Sequence, residues 1–238
     1  MRSVGVEGRR TSRQQLEATF SAEKAAQDGL LSTRLYRRIS FAVTPWFEAA
    51  GFSPNAVTGM AISCALLLPL VALFAGPWDY LGVAVLCFCY LVLDCVDGNL
   101  ARLVGSSGPR GQYLDSLAGK LYALTRTVAL GLIAAREWPG LGQGEVLSFA
   151  VFAALLFIWG RESRQYYKIS AGVAPNHFVD GSGRLKDLAL GFTEMVPPGL
   201  LLLGPFGLAW LVFLGVVVFY VALFAYTQVR IFRALRSA

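Results

Sequence analysis

Apolar runs about as long as a membrane is thick, separated by short polar or Gly/Pro breaks, set the pattern of this chain. A membrane-spanning helix needs about 20 predominantly apolar residues. Six runs approach or meet that length, at 55–76, 78–101, 112–135, 145–166, 188–204 and 207–228, the fifth being short. Gly76-Pro77 and Gly204-Pro205-Phe206-Gly207 are tight-turn signals between neighbours. Ahead of the first run, Leu31, Leu35, Ile39 and Phe41 interleave with Arg34, Arg37 and Arg38 at roughly helical spacing. That spacing predicts an amphipathic helix over about 30–50, lying in the membrane interface with its arginines at the headgroups. The plainer alternative is a helix packed on the protein's own surface. Residues 1–29 are polar, lack an h-region and are expected to form a mobile cytosolic tail. The expected fold is all-α integral membrane: one domain over 30–238, with six transmembrane helices preceded by an N-terminal interfacial amphipathic helix.

Composition agrees with this pattern. Hydrophobic residues make up 55% and charged residues 15% of the 238, with a mean hydropathy of +0.55, whereas soluble domains carry about 25% charged residues. The net charge of +6 could suggest nucleic acid, but the basic residues flank apolar runs, which fits a membrane surface better. Arg34, Arg37, Arg38, Arg102, Arg110, Arg161, Arg164, Lys168, Arg184, Lys186, Arg230, Arg233 and Arg236 fall on one side of the six-span layout, and only Arg136 on the other. By the positive-inside rule the crowded side and both termini face the cytosol. Cys64, Cys87, Cys89 and Cys95 sit in apolar stretches and read as small buried residues. Trp46, Trp78, Trp138 and Trp210 fall near the ends of spans and read as interface anchors.

Three carboxylates stand where such a chain should have none. Asp94 and Asp97 are three residues apart near the cytosolic end of the second span, and so share a helical face. Asp115 opens the third span after a short loop that doubles the chain back. An ionised side chain inside a span costs at least about 2.5–3.5 kcal/mol. Three converging acids therefore call for a cation. Oxygen donors without nearby His or Cys indicate a hard ion, Mg²⁺, Mn²⁺ or Ca²⁺. Mg²⁺ usually combines a few carboxylates with phosphate oxygens of a substrate, so a phosphate or diphosphate is the natural ligand. Gly98, Ala101 and Gly111 keep the neighbourhood open, and Arg102 offers a planar donor fork for phosphate. The plain alternative is that Asp97 and Asp115 only pair with Arg102 and Arg110 at the water interface.

In one-letter code, residues 94–115 read D-x-x-D-G-x-x-A-R-x₈-G-x-x-x-D, with Asp94, Asp97, Gly98, Ala101, Arg102, Gly111 and Asp115 at the fixed positions. This resembles the signature of the CDP-alcohol phosphotransferase family, class I, six-span membrane enzymes that displace CMP from a CDP-linked alcohol with the hydroxyl of a second alcohol. Ser53-Pro54-Asn55-Ala56-Val57-Thr58 resembles a second segment of that family, near the nucleotide. The resemblance extends over about residues 30–230. It implies Mg²⁺ or Mn²⁺ and a diphosphate at Asp94, Asp97 and Asp115, a nucleotide pocket shaped by Thr58, Gly98, Ala101, Arg102 and Gly111, and a homodimer. Arg161 and Arg164 would meet an anionic acceptor; ordinary positive-inside placement is the alternative.

The family's signature continues to a fourth Asp, thought to help hold a metal and to deprotonate the acceptor. This chain has Gly119 there, followed by Lys120, so the register is kept and one carboxylate is missing. Four readings follow: an acceptor already ionised, a substitute base such as Glu162 or metal-bound water, ionisation of a prenyl diphosphate as in a terpene synthase or prenyltransferase, or a non-catalytic lipid or nucleotide binder. Positions 115, 119, 122 and 126 share one helical face, which aims Arg126 at the same cavity as Asp115. Asp115 and Arg126 are thus the candidate catalytic residues. His177, beside Asn176 and near Asp180, reads as a solvated loop residue. The sequence names neither donor nor acceptor.

Overall fold

The computed structural model describes residue 16 and residues 31–74, 76–105, 108–138, 140–172 and 192–236. The regular elements among these residues are all helical. A π-helical turn, Ser32–Tyr36, runs into α1 (Arg37–Ala49), followed by α2 (Pro54–Phe74), α3 (Asp79–Leu103), α4 (Pro109–Glu137), α5 (Gln143–Ser170), α6 (Val196–Leu203) and α7 (Ala209–Arg236). Among the described residues, α2, α3, α4, α5 and α7 are long and apolar enough to cross a membrane, which makes five spans. The fifth run in the sequence corresponds to α6, which has 8 residues and follows a 3₁₀ turn at Thr193–Met195. Its predicted start, at 188–191, lies outside the described residues. So do most of the predicted tail and the stretch holding Asn176, His177, Asp180, Arg184 and Lys186.

Local signals set the helix ends that matter for the site. Gly105, at φ +63°, lies in the left-handed region just past α3, where a residue without Cβ ends a helix at least cost. Pro109 then takes the first position of α4 behind the extended Gly108, where its missing N–H is no loss. The resulting reversal brings the start of α4 back beside the end of α3.

The helix α4 is the central one. In its most apolar stretch 61% of residues are buried, against 22–44% in the other spans. It packs against α2, α5 and α7. Ala61, Ala65, Leu68 and Ala72 make the buried stripe of α2, and such small side chains let helices approach closely where water supplies no drive between spans. Gly131 shows how closely: a Cβ there would stand 2.9 Å from the Ala150 Cβ on α5. At the end of the bundle away from the acidic run, Arg136 pairs with Asp79 and donates to the Ala72 carbonyl at 2.7 Å. The single basic residue assigned to that side thus ties α4 to α3 and α2.

The N-terminal helix packs on the protein itself. The face of α1 turned to α3 buries Arg37, Ser40, Phe41 and Thr44. Asn99 Nδ2 donates to Ser40 Oγ at 3.0 Å and to Thr44 Oγ1 at 3.2 Å, while Arg102 Nη2 donates to Asn99 Oδ1 at 2.6 Å. Tyr36 donates to the Glu194 carbonyl at 2.9 Å, and Glu194 Oε2 accepts from the Ser32 N–H at 2.7 Å. Burial, with Glu194 nearby, pushes the Tyr36 phenol well above its ordinary value and keeps it a donor. Leu35 and Trp46 remain exposed.

Candidate functional site

A cavity of about 500 Å³ opens among α3, α4, α5, α7 and the turn before α6. Helix periodicity explains its contents. Asp115, Gly119, Tyr122 and Arg126 line it from α4 at spacings of four, three and four residues. Tyr90 and Asp94 line it from α3, four residues apart, and Arg161 and Arg164 from the end of α5. Thr193 and Glu194 contribute from the turn before α6.

The three signature carboxylates lie near enough for mutual repulsion, although only Asp94 and Asp115 face the cavity. Asp97 is 7% exposed and accepts a hydrogen bond from the Thr58 hydroxyl at 2.6 Å. The sequence reading put Thr58 at the nucleotide; its hydroxyl here orients a carboxylate. Gly98, Ala101, Arg102 and Gly111 do not line the cavity. They sit on the Asp97 side, where the Arg102 guanidinium lies over Gly98 and Gly111 stands close to Asn55.

The cavity floor is polar and cationic. Arg126, 2% exposed, donates from Nη1 to the Thr193 carbonyl at 3.1 Å and from Nη2 to the Tyr220 hydroxyl. Its guanidinium lies 4.7 Å from the centre of the Tyr122 ring, a cation–π contact. Tyr122 in turn stacks on Tyr90 at 3.7 Å. Arg126 Nε and the Tyr90 hydroxyl are buried without a hydrogen-bond partner among the described residues. Native structures rarely leave such groups unsatisfied, so the floor has donors to spare for a ligand.

Gly119 has a definite neighbour. A Cβ on it would come within 3.1 Å of Arg161 Nη1 and 3.7 Å of Nη2. One residue further along both helices, Lys120 Nζ meets Glu162 Oε1 at 2.6 Å. Glu162 therefore points away as the partner of Lys120 and is not on the cavity wall. Arg164 lines the cavity and makes a long bond from Nε to the Gly160 carbonyl, 3.4 Å. Tyr90 and Glu194 were absent from the sequence reading. Tyr90 stands one turn before Asp94 and was open to the same helical argument, whereas Glu194 reaches the site only through tertiary packing.

Residues 52–181 match the CDP-alcohol phosphatidyltransferase family, and they contain both the Thr58 segment and the carboxylate run. The chain belongs to this family. It is similar to cholinephosphotransferase 1 of Gallus gallus, 29% identical over 134 residues, which is 51% of this chain and 36% of that protein. Cholinephosphotransferase 1 of Mus musculus is 31% identical over 98 residues, 36% of this chain and 25% of that protein. An uncharacterized CDP-alcohol phosphatidyltransferase class-I family protein 2 of Dictyostelium discoideum is 32% identical over 83 residues, 32% of this chain and 20% of that protein. The matches thus span about a third or less of these relatives' lengths. The several long apolar helices and the family agree with an integral, multi-pass membrane protein.

Among the described residues no group of three His, Cys, Asp or Glu side chains forms a ready-made metal cage. The donor set still fits Mg²⁺ or Mn²⁺, because Mg²⁺ is usually held by one or two carboxylates together with substrate phosphates and water. Asp94 and Asp115, both on the cavity wall, are such a pair.

Proposed function

We propose that this protein is a membrane transferase that displaces CMP from a CDP-linked alcohol or lipid onto a second acceptor. The observation that carries the reading is one cavity in which Asp94 and Asp115 face the cations of Arg126, Arg161 and Arg164, within a chain of the CDP-alcohol phosphatidyltransferase family. Asp94, Asp97 and Asp115 would hold Mg²⁺ or Mn²⁺. The bound ion would polarise the diphosphate oxygens and ease departure of CMP.

The residues of the chain supply the remaining parts. Thr58 fixes Asp97. Arg102, held by Asn99, and the open positions Gly98, Ala101 and Gly111 form the nucleotide side. Arg161, with Arg164 beside it, offers guanidinium forks to anionic oxygens. An acceptor oxygen attacks the phosphorus that carries the alcohol; the new P–O bond forms as the bond to CMP breaks, and CMP leaves with the electron pair. Gly119 provides no base. The acceptor's proton passes to Asp115, which is exposed on the cavity wall, unless the acceptor arrives ionised.

Six spans, with the fifth beginning before the described part of α6, and a cytosolic site complete the proposal. Their support is the one-sided placement of Lys and Arg.

The test uses purified protein in lipid nanodiscs with Mg²⁺ and either CDP-linked donors plus candidate alcohols or prenyl diphosphates. CMP release supports the proposal. Diphosphate release with a hydrocarbon or terpene alcohol overturns it.

A further inference from the structure

The floor of the cavity lies away from the carboxylates and is built around one cation. Arg126 is 2% exposed and yet lines the cavity. A guanidinium carries five N–H donors. Here one goes to the Thr193 carbonyl and one to the Tyr220 hydroxyl, while Nε has no partner among the described residues. No described carboxylate comes within ion-pair distance of Arg126. Asp115 stands eleven positions before it on α4, about three turns away. Glu194, next to Thr193, turns Oε2 to the Ser32 N–H. A strut tying α4 to α7 would need only the two neutral contacts, and a neutral donor would make them without burying a charge. The charge and the open Nε therefore call for an anion inside the cavity.

The level of Arg126 in the bundle shows what could bring that anion. Its guanidinium lies 4.7 Å from the centre of the Tyr122 ring, and Tyr122 stacks on Tyr90. Asp94 follows Tyr90 by four positions, about 6 Å along α3. The Tyr90 hydroxyl, buried without a partner among the described residues, lines the same cavity. The floor and the first carboxylate are thus close enough to be reached by two ends of one small molecule, with a polar group on the wall between them. We propose that Arg126 binds an oxyanion group, phosphate or carboxylate, carried by the acceptor, so that the acceptor is a small anionic alcohol whose hydroxyl reaches up to the carboxylates. The guanidinium offers that group a charge-assisted donor fork. The inference rests on the transferase reading and adds to it the chemical class of the acceptor.

The test is arginine labelling with phenylglyoxal on the whole chain in phosphatidylcholine nanodiscs, read residue by residue by peptide mass spectrometry. Labelling is compared in Mg²⁺ alone, with CDP, and with CDP plus inorganic phosphate or acetate. Arg126 should be labelled in Mg²⁺ alone and with CDP. Phosphate or acetate should slow its labelling at least about 10-fold, the effect of a charge-assisted contact, and leave the exposed Arg110 unchanged. Protection by phosphate names the group as a phosphate, and protection by acetate names it as a carboxylate. Protection by CDP alone would give the floor to the donor and overturn the proposal. So would an Arg126 that is never labelled, or one labelled equally in every sample. Binding of radiolabelled inorganic phosphate is measured alongside for wild type, Arg126→Gln and Arg126→Lys. The glutamine variant should lose at least about 10-fold in affinity and the lysine variant should recover part of it. A folded glutamine variant that binds phosphate as wild type does would show a purely structural arginine; if it does not fold, the wild-type labelling decides. CMP release is followed in parallel. Protection of Arg126 by phosphate without CMP release from any donor would defeat the transferase reading and leave the anion subsite standing.

Discussion

Single contacts determine what each carboxylate can do. Asp97 is buried and depends on one hydroxyl, that of Thr58. Thr58→Val keeps the shape and removes the donor, so Mn²⁺ affinity should fall about 10- to 100-fold, the usual cost of losing a group that orients a metal ligand; titration with Mn²⁺ checks this. Arg126 depends on the Thr193 carbonyl, the Tyr220 hydroxyl and the Tyr122 ring. Tyr220→Phe removes one acceptor from a buried cation and should lower stability by about 1–3 kcal/mol, measured by chemical unfolding in detergent. The shared face of Asp94 and Asp97, one turn apart, and the alignment of Arg126 with Asp115, about three turns apart, could be read from helical spacing, and the short loop after α3 brings the two helices together. The neighbour of Gly119 could not. It lies 42 positions away, and only the packing of α4 on α5 brings Arg161 to it.

Helix pairs position those residues. The five long apolar helices could be read from run length alone. The packing face of α1 could not, since the pattern of Leu and Arg pointed to a lipid surface, whereas Ser40 and Thr44 turn to Asn99. A polar residue in an apolar run signals a partner but does not say which. Asn99→Ala removes two hydrogen bonds to α1 and the Oδ1 that accepts from Arg102, and should loosen α1 on α3 at a cost of about 1–3 kcal/mol; earlier thermal unfolding with faster tryptic cleavage after Arg37 or Arg38 would show it. Gly131→Leu tests the packing of α4 on α5. With Ala150 Cβ already 2.9 Å from an added Cβ, the larger side chain should destabilise the fold by about 1–3 kcal/mol or more. A variant as stable as wild type would show that these helices are not in close contact.

At the scale of the molecule, the bundle places Asp94, Asp97, Asp115 and most of its described arginines at one end, and the Asp79–Arg136 pair with Glu137 and Glu145 at the other. In the proposed reaction the first of these is the end at which the charged part of the donor would enter, its lipid part lying among the apolar helices. The central question is whether this end performs metal-dependent displacement of CMP. The direct measurement is ³¹P NMR of a CDP-linked donor and acceptor with the protein in nanodiscs, run with Mg²⁺, with chelator, and with Asp94→Asn. The expected result is a CMP signal that grows only with Mg²⁺ and falls at least about 100-fold in the variant. CMP formed equally well with chelator or by Asp94→Asn would contradict the account.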